Sequence, residues 1–437
     1  MANHDTNYGN GGSDRATYGP DRETLLSSRR EFLMTAGTCA AMIFGGVYPA
    51  MSENKNVTRV GFILPEKGPL SGDAFSLISG FMLQLKESGK QAETVEIIKE
   101  DPGPDEARAI EALALLLMER KVQFVVGPLS AEASEKVIHG CSGGEAVLFV
   151  TNPAIRFLAG ELCMSGSFRL CPNTYQAVKP LAPWAVQRLG QKVFLLGTDD
   201  DISNEEADFF AHAFERGGGR FVDRIMLKPN PEELNKAFNA VRTGKPDFVF
   251  ASFRNKAAAD FLKAWRNQTP APDYPVIGPA CLTAFPETLQ DVGLGAQGVR
   301  TLGMLKEPVQ LAERIRKTLG RSITDASRAA EGYELAAFIL GAVRQTGVGK
   351  TDQHEIIKAM ENMEVDGPRG KVRFDRNHEP IVESYLQEWK LDGGAPRIES
   401  IESLGPAKSN DFGCGRVGFP KRTGPEEPDE GGLLDAE

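Results

Sequence analysis

Residues 122–134 read Val122-Gln123-Phe124-Val125-Val126-Gly127-Pro128-Leu129-Ser130-Ala131-Glu132-Ala133-Ser134. The apolar, β-branched run at 122–126 predicts a buried strand that Gly127-Pro128 brings to an end. Ser130 is of the type that caps helices, and 131–139 follows as a helix. Strand, short loop and capped helix in that order make half of a βαβ unit. Before it, a helix is expected at 105–120, where Ala109, Ala112, Leu113, Leu116 and Leu117 keep one helical face apolar. Still earlier come strands at 60–64 and 95–98 around a helix at 73–88, and a strand at 146–150 follows. Strands alternating with helices of this length indicate right-handed crossovers and a parallel sheet.

A second series starts after a strand at 168–170. Helices at 174–189, 205–216, 231–242 and 256–265 alternate with strands at 192–196, 221–227, 248–251 and 276–278. The fold class expected is therefore α/β, with two doubly wound parallel-sheet lobes. A strand at 299–305 and a long helix at 324–344 read as a return to the first lobe. A last helix at 352–360 leads to a turn and alternating strand over 367–375. This divides the chain into 57–173 with about 297–346 as one lobe, and 174–296 with about 347–395 as the other. Residues 405–437 are rich in Gly, Pro and acids and are expected to form a flexible tail.

Composition agrees with a globular chain and excludes some functions. The 437 residues are 41% apolar and 25% charged, which is ample for a core. A formal net charge of -10 argues against a nucleic-acid partner, which needs a basic face. Six cysteines in this length exclude a disulfide-scaffolded mini-domain.

The N-terminal region reads as an address. Residues 1–27 have no apolar period and are expected to be disordered. Ser28-Arg29-Arg30-Glu31-Phe32-Leu33 then precedes a weakly apolar run at 34–47, the order of a secretory signal. That run is too short and too interrupted by glycine for a stable membrane span. It resembles the twin-arginine export signal, whose pattern Arg29, Arg30, Phe32 and Leu33 match position for position. The resemblance implies the twin-arginine export machinery as a partner, cleavage near Ser52 and a periplasmic location. In that oxidising compartment Cys163 and Cys171, which flank a short segment, either form a local disulfide or remain buried thiols.

Several signals point away from chemistry. Gly347-Val348-Gly349-Lys350-Thr351 looks like the end of a phosphate loop, but Arg344 stands where that motif needs glycine, and a helix precedes it. The five histidines lack ligand spacing, so no metal is expected. No nucleophile elbow, Cys-His pair or carboxylate pair stands out. No catalytic residue, no cofactor and no enzymatic activity are expected.

A set of motifs resembles a known family, the type I periplasmic solute-binding proteins of the branched-chain amino acid class (Leu/Ile/Val-binding receptors). They are Gly68-Pro69-Leu70-Ser71-Gly72, Val125-Val126-Gly127-Pro128-Leu129-Ser130, Phe168-Arg169 with Pro172-Asn173, Gly332-Tyr333, and the stretch 370–375. They occur in the family's order and cover about 57–395. The resemblance implies two lobes joined by a multi-strand hinge that closes like a flytrap on a small-molecule ligand. It also implies docking of the closed form on the membrane permease of an ABC importer. The alternative is a periplasmic sensor or accessory binding subunit with the same fold and no transport role.

In open α/β sheets, ligands bind beyond the carboxyl ends of the strands. On the first lobe those loops carry Ser71, Ser130, Ala131, Thr151, Asn152 and Tyr175; on the second, Asp201, Ile202, Ser252, Pro279 and Ala280. A hydroxyl at a helix N-terminus, such as Ser130, suits a carboxylate. The family match puts Ser130 and Thr151 foremost. Two departures bear on the ligand. Ile202-Ser203 stands where amino-acid binders carry Tyr-Gly, and Ala131 stands where they carry a second hydroxyl. Lost hydrogen-bond partners weaken the case for a branched-chain amino acid. Amino acids, amides, urea and aromatic acids are all left open. The acids at 199–201 offer either a cation site or a solvated loop.

Overall fold

The computed structural model describes residues 57–410, except 142, 155–157, 159–163, 269–273, 284–291 and 393–394. The export-signal residues Arg29, Arg30, Phe32 and Leu33, together with Cys163, lie outside the described residues. Cys171 carries a buried free thiol, pushed up to about 11 by burial first and Glu331 second.

The first sheet is wholly parallel, in the order β2-β1-β3-β4-β5. Its strands are β1 (Thr58–Ile63), β2 (Val95–Glu100), β3 (Phe124–Val126), β4 (Val147–Val150) and β5 (Ser167–Arg169). Every residue of β3 and β4 is buried, as expected for strands covered by helices on both faces. The helices are α1 (Ser71–Glu87), α2 (Ala109–Ala114) and α3 (Ala131–Gly140). Expected as one helix over 105–120, α2 instead widens into a π turn over Leu115–Glu119, where the Arg120 amide bonds the Leu115 carbonyl at 3.0 Å.

The second sheet is mixed. Its parallel half runs β7-β6-β8-β9-β10, from β6 (Lys192–Thr198), β7 (Arg220–Leu227), β8 (Phe248–Ser252), β9 (Val276–Pro279) and β10 (Arg300–Gly303). Its antiparallel half comprises β11 (Glu364–Gly367), β12 (Gly370–Phe374), β13 (Pro380–Asp392) and β14 (Ala395–Ala407). The connections from β11 to β12 and from β12 to β13 are too short for a crossover, so antiparallel pairing is the geometry open to them. The helices of this half are α4 (Leu181–Arg188), α5 (Asp201–Arg216), α6 (Pro231–Gly244) and α7 (Asn255–Arg266).

Three boundaries differ from the sequence reading. The strand expected at 299–305 as part of the first lobe is β10, which pairs with β9 and β13 in the second sheet. The return to the first lobe therefore begins after Gly303, with α8 (Pro308–Leu319) and α9 (Ala326–Thr346). The next helix, α10 (Gln353–Glu361), assigned to the second lobe by sequence, packs on α9, and its Gln353 and Ile356 border one cavity with Leu117, Val122 and Gln123 of the first lobe. Finally, the tail expected from 405 is still strand there: Ser384 pairs with Gly405 and Val382 with Ala407. Backbone pairing to β13 orders a stretch whose side chains show no period.

The helix expected at 174–189 begins only at Leu181. Pro180 has no amide hydrogen to donate and disfavours helix in the residue before it. Residues 174–180 instead form bonded turns, with the Lys179 amide on the Tyr175 carbonyl at 2.9 Å.

Candidate functional site

The carboxyl ends of the first sheet are tied together by side chains. Ser71 opens α1, and both its amide (3.2 Å) and its Oγ (2.8 Å) donate to the Gly68 carbonyl. Ser130 caps α3, its Oγ accepting the Ala133 amide at 3.3 Å. Thr151, beyond β4, donates its Oγ1 to the Pro128 carbonyl at 2.5 Å. Asn152 donates Nδ2 to the Leu129 carbonyl at 3.1 Å and accepts the Ala154 amide at 3.0 Å. Ala131 is half-buried in the first turn of α3. Thr151 and Asn152 thus meet the Pro128–Leu129 segment that leads into Ser130, whereas Ser71 bonds within its own turn.

Sequence reasoning missed a carboxylate among them. Glu106, only 1% exposed, accepts the Leu129 amide at 2.8 Å and the Ser130 amide at 2.6 Å. Its backbone is left-handed, with φ 59°. A glutamate in a loop gives no periodic signal, and only the fold brings it to α3.

An arginine closes the same edge. Arg328, in the first turn of α9, donates to the Thr151 carbonyl at 3.0 Å and to Glu331 at 2.9 Å, and lies 4.0 Å from Asp73. Burial pushes the Asp73 carboxyl up, with Arg328 pulling it back. Glu331 behaves likewise, raised by burial against Arg328 and Arg369. A cavity of about 10 Å³ beneath Thr151, bounded by Leu77, Phe149, Leu170 and Cys171, is close to the size of one water.

Tyr175 is buried, edge-on to Phe209 of α5 at 5.4 Å, so it joins the crossover to the second lobe. Thr174 beside it donates to Glu205 at 2.7 Å.

On the second sheet, the loop after β6 turns into α5 through Asp200. Its carboxylate accepts the Ser203 amide at 2.8 Å and the Ser203 hydroxyl at 3.1 Å, which makes it a helix cap. Asp201 is exposed and Ile202 half-buried on that first turn. Among the described residues no group of three or more His, Cys, Asp or Glu is arranged to hold a metal. Ser252, fully buried at the end of β8, donates to Glu206 at 2.6 Å. Pro279 is buried and Ala280 half-buried after β9.

Between these ends lies a second arginine missed in the sequence. Arg254 donates to Ser203 Oγ at 2.9 Å and pairs with Glu206, and 24% of its side chain stays exposed. Burial raises the Glu206 carboxyl, against the pull of Arg254 and the Ser252 hydroxyl. Cys281, beyond β9, has a thiol pushed up to about 12, chiefly by burial. One signal was available for Arg254: it stands three residues past the carboxyl end of the strand expected at 248–251, where sites gather.

Residues 57–395 match the family described as periplasmic binding protein. Solved structures are similar over most of the chain. An ABC transporter substrate-binding protein from Sphaerobacter thermophilus superposes with a TM-score of 0.72 at 21% identity, over 82% of this chain and 98% of that one. An R. palustris solute-binding protein of an ABC transporter, in complex with benzoate, gives 0.68 at 20% identity, over 82% and 100%. A leucine-binding protein from Thermotoga maritima gives 0.66 at 17% identity, over 79% and 98%.

Proposed function

The chain belongs to the periplasmic binding protein family, and on that premise we propose that it is a solute receptor. It captures a small polar metabolite between its two lobes by hinge closure and delivers it to the permease of an ABC-type importer. The observation that carries this reading is the pair of sheets whose strand carboxyl ends present polar loops, Ser130 to Asn152 on one and Ser252 to Arg254 on the other. Such ends are where ligands bind in open α/β sheets, and hinge closure is how two such lobes enclose them. Related folds carry benzoate or are named for leucine, which supports amino acids and aromatic acids as compounds to test. Export through the twin-arginine machinery, with Arg29 and Arg30 as its mark, belongs to the same proposal. Among the described residues no helix is long and apolar enough to cross a membrane.

The test is a thermal-shift screen of the full chain against leucine, benzoate, 4-hydroxybenzoate, benzamide and urea. A receptor gains about 2.7 kcal/mol from a ligand at 100 times its dissociation constant. We expect a shift of several degrees with at least one compound. No shift with any would overturn the receptor reading for these ligand classes and favour the sensor or accessory subunit with no transport role, or a degenerate site.

A further inference from the structure

We infer that the first lobe carries a second small-molecule site at the amino ends of its strands, and that this site takes an uncharged carboxamide on an apolar body through the side-chain amide of Gln353. It lies at the opposite end of the sheet from the loops described above, and it does not depend on the receptor reading.

The site is a cavity of about 260 Å³. Val122 and Gln123 on its wall lead into β3, Glu145 stands two residues before β4, and α10 contributes Gln353 and Ile356. One water needs about 10–15 Å³ on this measure, so the space admits a molecule of ring size. It is just short of the roughly 300 Å³ at which ligand pockets begin, which sets a small upper limit on what enters. Leu117, Val122 and Ile356 are buried and give the cavity an apolar wall.

The polar side is carried by one group. Gln353 Nε2 is buried and has no hydrogen-bond partner among the described residues. A desolvated donor of this kind is unfavourable until an acceptor reaches it. Gln353 Oε1 lies 3.6 and 4.0 Å from where Cβ atoms would stand on Gly144 and Gly166, so two residues without side chains leave room beside the amide. A carboxamide presents a donor and an acceptor side by side, and a second carboxamide answers both with two parallel bonds. A carboxylate would answer the N–H and set its other oxygen against Oε1, while an ammonium would set donors against Nε2. The rim does not select a charge either, because Lys121 and Glu145, both exposed, are of opposite sign. The other amide on the wall is spent: Gln123 Oε1 accepts the Arg59 amide at 2.7 Å and its Nε2 donates to the Lys121 carbonyl at 3.3 Å. The segment 347–351 that looks like a phosphate loop ends at this cavity with its groups engaged. Its Gly349 amide donates to Thr58 Oγ1 at 3.0 Å, and Lys350 pairs with Glu355 at 2.9 Å. Thr351, exposed on the rim, completes the lining.

The experiment is isothermal titration of the full chain with cyclohexanecarboxamide, cyclohexanecarboxylate and cyclohexylmethylamine, which carry three head groups on one apolar body. Each compound is titrated into the wild type, Q353M and T351W. The first variant removes the amide at nearly constant volume, and the second fills the cavity from an exposed position; circular dichroism establishes that both are folded. The carboxamide is expected to bind the wild type and to lose tenfold or more in each variant. Any binding of the carboxylate or the amine, which would belong elsewhere on the chain, should stay within threefold in Q353M. No carboxamide binding to the wild type, or unchanged carboxamide binding in folded Q353M or folded T351W, would overturn the inference. A tenfold loss of carboxylate or amine binding in Q353M would overturn the carboxamide assignment.

Discussion

Glu106 shows how one residue can redirect the reading of a site. A left-handed backbone costs a side-chain-bearing residue about 1–2 kcal/mol, and Glu106 adopts it with φ 59°. What offsets that cost is a pair of charge-assisted bonds to the Leu129 and Ser130 amides at 2.8 and 2.6 Å. In a Glu106→Gln chain one oxygen becomes an NH2 group, and a donor then faces a donor. Loss of one bond to a charged group predicts a destabilisation of about 2 kcal/mol, read from the urea midpoint. A change below 0.5 kcal/mol would mean that the carboxylate does not organise this loop. At this scale the sequence is only partly legible. Ser130 and Thr151 could be placed at the carboxyl ends of β3 and β4 because each follows a recognisable strand. Glu106 and Arg328 were not, since their partners lie 24 and 177 residues away. Arg254 stands just past a strand end, but its pairing with Glu206, 48 residues away, is not legible locally.

Elements were more legible than residues, because hydrophobic periodicity is local and strong. Most strands and helices of both α/β series begin within a few residues of their expected positions. The failures have specific causes: Pro180 delays α4, a π turn interrupts the helix after Ala114, and β14 is ordered by its partner strand. Gly332, singled out by motif alone, also acquires a physical reason. Helices α1 and α9 cross so closely that a Cβ at Gly332 would lie 1.8 Å from the Leu77 carbonyl oxygen. Gly80 on the facing helix stands reciprocally, 1.7 Å from the Ala329 carbonyl oxygen. Backbone cannot yield as a side chain can, so the helices must part. Overpacking costs about 1–3 kcal/mol, while alanine regains about 1 kcal/mol of helix propensity. We predict that Gly332→Ala lowers stability by 1 kcal/mol or more, at the order of those opposing effects. Gly341→Ala in the same helix meets mainly Met363 Sδ, at 2.4 Å, and the adaptable thioether can move aside. It should cost less, and chemical denaturation of the two variants checks the order.

For the whole molecule, two α/β lobes were readable from two series of strands and helices, but the exchange of segments between them was not. Strand β10 is allotted by long-range pairing, and helices α8 to α10 by packing on α1 and on one another, which periodicity cannot report. The junction between lobes is built from buried polar ties. Gln176 Nε2 donates to the carbonyls of Pro380 and Ala407 at 2.6 and 3.1 Å, and Arg369 holds Glu334 and the Leu170 carbonyl. Around it, Phe168 of β5 stacks on His378 with ring centroids 3.9 Å apart. A hinge of this kind turns only if ligand favours the closed arrangement over the open one. Small-angle X-ray scattering of the full chain, with and without the compound that most raises its melting temperature, tests that claim most directly. The account predicts a smaller radius of gyration at saturating compound; superposable curves at saturation would contradict it.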